Sequence, residues 1–335
     1  MEIEKLMAML QLGKLLEEPV EVNGGLLHKM YRVSTSNGIF AVKVLNPEVM
    51  KRADALSNMV NSERVAKAFD AIVPAIVSLE IDGKQIQKLG EYYYFLFPWI
   101  DGASVFPNEI IPYHCEMIGD ILGKIHQRDL TIEGIIPEED SFEMYGWGTY
   151  LQRIDELENS DEEWMAEYRK SIKDIKCWNQ KACDSEKYLS ELTVISHRDL
   201  DPKNVMWNGD KPYIIDWEAA GYVNPYQEFL EVVNYWADDG MGKLEKEKFD
   251  ALTRAYCRHM DIKTVRWDEV FNGSYIGMLG WLEYNIKRAL GIEASDEDER
   301  HLGEQQVMGT LRDLYSYQAK IEQLEEWLGY GENGV

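Results

Sequence analysis

Four residues within one short stretch have the types and spacing to do chemistry: His197, Asp199, Asn204 and Asp216, set in residues 194–220, VISHRDLDPKNVMWNGDKPYIIDWEAA. A carboxylate, an amide oxygen and a second carboxylate are hard oxygen donors of the kind that hold Mg²⁺, and one acceptor remains for the proton of a substrate hydroxyl. That is the equipment of phosphoryl transfer. The surrounding pattern shows how these groups would be positioned. Residues 193–196 read as a short entering strand, and 205–207 and 213–215 as a hairpin around Asn208-Gly209-Asp210, with the carboxylates at strand exits. Any one of these Asp or Asn residues is an ordinary turn former; all four in this order and spacing point to a site.

His-Arg-Asp, four residues, then Asn, followed a dozen residues on by Asp after two apolar residues, matches the catalytic-loop and metal-binding elements of kinases. At HRDLDPKN and IIDWE the chain resembles the aminoglycoside phosphotransferase and choline kinase group of small-molecule kinases, whose fold is similar to that of protein kinases. Eukaryotic protein kinases fit less well, because Trp217-Glu218 follows Asp216 in place of Phe-Gly and no Ala-Pro-Glu segment lies downstream. Arg198 is a departure, since these small-molecule kinases more often carry a small or amide residue there. The resemblance implies Asp199 as the residue that accepts or orients the hydroxyl proton, and Asn204 and Asp216 as ligands of Mg²⁺. His197 is read as supporting the loop.

Upstream, residues 20–45 have the character of three antiparallel strands, turned at Asn23-Gly24-Gly25 and Ser36-Asn37-Gly38. Gly24 and Gly25 would let backbone N–H groups approach a phosphate, although a glycine pair is also an ordinary hairpin signal. Lys43 lies in an apolar, β-branched strand, where a charge requires a partner. The phrase AVK resembles the kinase strand lysine, which holds the nucleotide phosphates and pairs with a helix glutamate. Asn46-Pro47 is expected to start that helix, which runs to about Phe69 and carries Glu63, the favoured partner; Glu48 falls in the first turn, where it suits the helix dipole. Residues 92–97 read as a buried strand, and Pro98-Trp99-Ile100-Asp101-Gly102 as the hinge. In the resembling family adenine lies against this connector; carried over, the Pro98 carbonyl would accept from the base and the Ile100 N–H would donate to it.

From Asn108 onward the pattern is helical. Residues 109–128 place Ile118, Ile121, Leu122 and Ile125 on one face, and His126 at the end reads as structural. Glu228, in Pro-Tyr-Gln-Glu, stands near where family members often show an Asp after a proline. Trp281, Tyr284 and Asn285 fall at i, i+3, i+4 and offer either a contact face or core packing, with Glu283 directed to solvent.

Composition bounds the rest. The 335 residues, 45% of them hydrophobic, are too many for one compact unit and suit two lobes. Sixty acidic against thirty-five basic residues give a net charge of −25, unsuited to nucleic acid or anionic membranes and compatible with a cationic small substrate or simply with solubility. Four cysteines without CxxC spacing suggest reduced thiols in the cytoplasm, and neither a signal peptide nor a run of the ~20 apolar residues needed to span a bilayer is present. The expectation is an α+β, bilobal protein-kinase-like fold: an antiparallel-sheet lobe with one helix over residues 1–98, and a mainly helical lobe over 99–335 that holds the catalytic and acceptor sites. ATP or GTP with Mg²⁺ would bind between them, and the γ-phosphate would pass to a hydroxyl of a small molecule, such as an aminoglycoside, a choline-like amino-alcohol or a neutral alcohol. A kinase-like scaffold without turnover is the alternative from another class; the sequence leaves the oligomeric state open.

Overall fold

Alternating apolar and polar residues after Pro19 produce β1 (Val20–Val22), β2 (Lys29–Thr35) and β3 (Gly38–Val44), joined with β4 (Gln87–Leu89) and β5 (Tyr92–Pro98) into one antiparallel sheet of order β1-β2-β3-β5-β4. This computed structural model describes residues 2–22, 28–137, 142–157, 162–294 and 296–329. Asn23, Gly24 and Gly25 lie outside the described residues. One face of the sheet is covered by α1 (Glu2–Met9), which buries Leu6 and Met7 against Val33, Val42 and Leu96. The other side carries α2 (Ala55–Phe69), which buries Met59 near Leu45 and Phe95.

The start of α2 differs from the sequence expectation. Asn46 does cap a turn, its Oδ1 accepting from the Glu48 N–H at 2.9 Å, but only a 3₁₀ turn, Val49–Lys51, follows. Arg52 is extended (ψ 141°), which interrupts the i→i−4 ladder, so the α-helix begins at Ala55.

After β5 the chain crosses to a helical lobe. The crossing is fixed by a two-way backbone pairing of Ala103 with Trp207, N···O 3.1 and 2.9 Å. Gly102 permits it: a Cβ there would stand 2.5 Å from the Trp207 carbonyl oxygen, a backbone atom that cannot move aside. Gly102→Ala is therefore expected to lower stability by about 1–3 kcal/mol through overpacking, measured by urea unfolding.

A 3₁₀ turn (Pro107–Glu109) precedes α3 (Pro112–His126), so this helix starts three residues later than the apolar spacing suggested, at a proline suited to its first turn. Next come α4 (Trp147–Asp155), α5 (Glu163–Ser190), β6 (Val194–Ser196), the hairpin β7 (Val205–Asn208) and β8 (Lys211–Ile214), and β9 (Gly221–Val223), which pairs with β6. Then follow α6 (Pro225–Trp236), α7 (Lys246–Tyr256), α8 (Trp267–Gly273), α9 (Tyr275–Ala289) and α10 (Glu297–Trp327).

Two apolar centres hold this lobe. The first packs α3, α6 and α7 beneath the hairpin, through Leu122, Phe229, Val233, Leu252 and Tyr256. Gly119 lets α3 approach the Leu252 carbonyl of α7 closely, since a Cβ would stand 2.2 Å from that oxygen. The second joins α4, α5, α9 and α10 around Trp147, Tyr168, Leu279 and Leu311. On α9 the expected contact face divides: Trp281 and Tyr284 are exposed, while Asn285 is buried and its Nδ2 donates to the Trp281 carbonyl at 2.8 Å. Glu283 is not directed to solvent; it accepts from the Tyr150 hydroxyl and pairs with Lys287 at 2.8 Å, because α4 packs close to it. Among the described residues no helix is long and apolar enough to cross a membrane, and all four cysteines are free.

Candidate active site

β6 delivers the chain to His197 and then to Arg198, which takes a left-handed conformation (φ +65°), a rare state for a residue with a side chain. This twist turns Asp199 outward while His197 is driven into the core, fully buried. The His197 ring has a defined tautomer. Its Nδ1 accepts the Asp199 N–H at 3.3 Å, so Nε2 carries the proton and donates it to the Ile215 carbonyl at 3.0 Å. Burial holds the His197 pKa below the usual range, which keeps the ring neutral in this role. His197 thus ties the catalytic loop to the residue preceding Asp216.

The loop continues through a 3₁₀ turn, Pro202–Asn204, capped by Asp201, whose Oδ1 accepts the Lys203 N–H at 2.8 Å. The turn aims Asn204 back at Asp199: its Nδ2 donates to both the Asp199 carbonyl and Asp199 Oδ2 at 2.8 Å. No hydrogen bond among the described residues occupies Asn204 Oδ1. Asp216 follows β8 and is also left-handed (φ +60°, ψ +65°), a conformation Asp tolerates better than most residues. Lys203 Nζ reaches Asp199 Oδ1 at 3.4 Å, and the Asp199 and Asp216 side chains are 34% and 44% exposed.

Lys43 comes from β3 on the opposite lobe. Its side chain is 10% exposed and its Nζ stands 3.1 Å from Asp216 Oδ1, with Glu218 Oε1 also in contact. Burial alone would lower its pKa, but the Asp216 and Glu218 charges outweigh it and raise it, so the ammonium is firmly protonated. Glu218 shows the reciprocal effect: against the desolvation that would raise it, His28 and Lys43 hold its carboxyl at about 2.

Glu63 stands elsewhere. Instead of meeting Lys43 it accepts the buried Ser78 N–H at 2.8 Å, and burial raises its pKa while Ser78 and the Lys43 charge oppose the rise. The Lys43–Glu63 ion pair expected from sequence is not formed, because the segment after α2 returns beneath the sheet and brings an unpaired backbone donor to the carboxylate. Lys43 and Glu63 do line the same cleft, of about 970 Å³, together with Pro98, Ile100, Asn204 and Asp216. Part of its wall is apolar, with Met30, Ala41, Phe97, Met206 and Ile215.

Glu228 packs behind the loop, closed to solvent. It is 1% exposed, and its Oε1 accepts the Arg198 N–H at 2.7 Å, bracing the strained residue of the loop. Its Oε2 lies 2.8 Å from His126 Nε2, and His126 Nδ1 lies 2.9 Å from the Tyr256 hydroxyl. Although desolvation opposes it, the His126 contact lowers the Glu228 pKa and keeps it ionised. Removing the carboxylate strands a backbone donor and a buried imidazole. Glu228→Ala is accordingly expected to cost about 3–5 kcal/mol, read as a fall in the urea midpoint at unchanged m-value.

Three residues here carried no message in the sequence reading. Glu218 was noted only as a departure from Phe-Gly, although an acid two residues after a metal-type Asp is a usable signal. His28 follows the glycine turn with no pattern to mark it. Glu231 on α6 has its pKa raised, by desolvation first and then by Glu228, with Asp199 adding to it; its Oε1 accepts from the Tyr235 hydroxyl at 3.0 Å.

A sheet lobe bearing a buried lysine, facing a helical lobe whose loops present Asp199, Asn204 and Asp216, defines a protein-kinase-like, bilobal α+β fold. The chain belongs to the phosphotransferase enzyme family, whose pattern matches residues 19–261. Its fold is similar to that of a spectinomycin phosphotransferase in complex with ADP and spectinomycin, at 12% identity and a TM-score of 0.68, covering 94% of this chain and 98% of that one. An ethanolamine kinase from Plasmodium vivax is 14% identical with a TM-score of 0.58, covering 91% and 83%. A choline kinase from Cryptosporidium parvum Iowa II is 14% identical with a TM-score of 0.55, covering 97% and 99%. No curated protein matches the sequence significantly. The chain is therefore a phosphotransferase.

Proposed function

We propose that this protein transfers the γ-phosphoryl group of ATP or GTP, with Mg²⁺, to a hydroxyl of a small cationic molecule such as an aminoglycoside or an amino-alcohol. The observation that carries this reading is the convergence of Lys43, Asn204 and Asp216 on one interlobe cleft, with Asp199 hydrogen-bonded to Asn204 beside it. Asp199 takes or orients the hydroxyl proton, and its Oδ2 is kept in place by Asn204 Nδ2. The free Asn204 Oδ1 and the half-open Asp216 carboxylate are hard donors that fit Mg²⁺, which would supply charge neutralisation at the phosphates. Lys43 holds the nucleotide phosphates, Glu63 stands in the same cleft, and the base lies against the Pro98 carbonyl and the Ile100 N–H. Backbone N–H groups at Gly24 and Gly25 would face the phosphates. The hinge is proposed at residues 98–102, between lobes 1–98 and 99–335, and the setting is proposed to be cytoplasmic.

A net charge of −25 favours a cationic acceptor by drawing it to the protein. Retention of all four groups disfavours a silent scaffold. Incubation with Mg²⁺ and ATP or GTP against a panel of aminoglycosides, amino-alcohols and neutral alcohols, followed by phosphorus NMR, tests the reading. It predicts one new phosphomonoester resonance that forms in step with the nucleoside diphosphate; phosphorylation of a generic protein substrate and of no small alcohol would contradict it.

A further inference from the structure

The carboxylate of Glu218 is divided between two partners from the opposite lobe. Oε1 contacts Lys43 Nζ, while Oε2 faces His28 Nε2 at 3.4 Å. The His28 side chain is only 3% exposed, and its Nδ1 accepts the Asn46 N–H at 2.9 Å. That bond puts the proton of a neutral ring on Nε2, directed at Glu218. His28, immediately before β2, is thereby pinned to the end of β3, and its otherwise unpartnered Nε2 stands against Glu218.

Lys43 has two carboxylates beside it, Asp216 and Glu218. Should Asp216 turn to a divalent cation, Lys43 still needs a carboxylate to direct it. Glu63 is committed to the Ser78 N–H. Glu218 remains, already in contact with Lys43 and flanked by His28. We infer that Glu218, oriented by His28, is the residue that positions Lys43 for the nucleotide phosphates, in place of the α2 glutamate. This rests on the reading of the cleft as a nucleotide site. Its consequence is that the lysine is set by the large lobe's own segment, so no displacement of α2 is required to complete the site.

The test is calorimetric binding of ADP and of a non-hydrolysable ATP analogue, with and without Mg²⁺. Glu218→Gln is expected to weaken the triphosphate analogue about tenfold under both conditions, the scale of one charge-assisted hydrogen bond, whereas Glu63→Gln changes it by less than about twofold. His28→Ala is expected to weaken it about fivefold, and His28→Gln, which keeps a side-chain N–H donor, to recover most of that loss. The discriminating result is non-additivity. In a Lys43→Met background Glu218→Gln should add less than about twofold, because its effect passes through the lysine.

An effect of Glu218→Gln that persists without Lys43, or that is confined to the Mg²⁺ condition, would overturn the assignment; the latter would make Glu218 a metal ligand. A loss in Glu63→Gln as large as that in Glu218→Gln would also overturn it and return the role to α2. Equal losses in His28→Ala and His28→Gln at unchanged thermal midpoints would remove His28. Wild-type protein that binds neither nucleotide would overturn the nucleotide reading itself, a result distinguishable from all of these.

Discussion

Asp199→Asn is expected to lower turnover by about 10²-fold or more while nucleotide affinity stays within about threefold of wild type. The substitution preserves shape. Its amide oxygen can still accept from Asn204 Nδ2, which now bonds Asp199 Oδ2 at 2.8 Å, while the amide nitrogen takes the side that faces Lys203. What disappears is the acceptor for the hydroxyl proton and the negative charge that orients the attacking oxygen. In the proposed site, binding of the nucleotide draws on Lys43, Asp216 and the apolar walls of the cleft, none of which changes. Steady-state turnover beside calorimetric nucleotide affinity separates the two; near-normal turnover would remove Asp199 from its role.

Lys43→Met is expected to show the converse pattern, a loss of nucleotide affinity of about 10- to 100-fold, the range of a hydrogen bond between charged groups. The ammonium is the one cation found between the Asp216 and Glu218 carboxylates among the described contacts of the cleft. With methionine there, Asp216 and Glu218 face an incoming polyphosphate without the ammonium between them. The same change should lower the stability of the nucleotide-free protein, because it removes the shared cation from a largely buried cluster of charges. Titration of the nucleotide against unfolding midpoints of both proteins checks both statements, and unchanged affinity would contradict the placing of the phosphates at Lys43.

The fold was legible where local chemistry and tertiary packing agree. The strand pattern of residues 20–44, the hairpin turned at Asn208-Gly209-Asp210 and the helical run after Asn108 are all decided by apolar period and turn residues, which are local properties. The start of α2 was not legible: Asn46-Pro47 does form a capped turn, but the extended Arg52 that breaks the helix has no sequence marker. At the site, the motif announced that Asp199, Asn204 and Asp216 belong together, since their spacing is short and their types are rare in combination. Which acid meets Lys43 could not be read that way. The contacts of Lys43 with Asp216 and Glu218 span more than 170 residues of sequence and depend on how the lobes meet. The capture of Glu63 by the Ser78 N–H is likewise a demand of a buried backbone donor, which leaves no trace in composition or spacing. Glu228 was visible as an acid in the right region, but its role as a brace for Arg198 appears only with its burial and its His126 partner.

If the interlobe cleft binds a nucleotide through Mg²⁺ held at Asn204 and Asp216, a thermal-shift titration with ATP and GTP, each with and without Mg²⁺, shows it most directly. Ligand that binds only the native state raises the unfolding midpoint, by an amount that grows with the logarithm of its concentration relative to its Kd. The account predicts a rise with at least one nucleotide that grows when Mg²⁺ is present, and whose Mg²⁺-dependent part is lost in Asp216→Ala. No rise with either nucleotide, or a rise indifferent to Mg²⁺ and to Asp216→Ala, would contradict it.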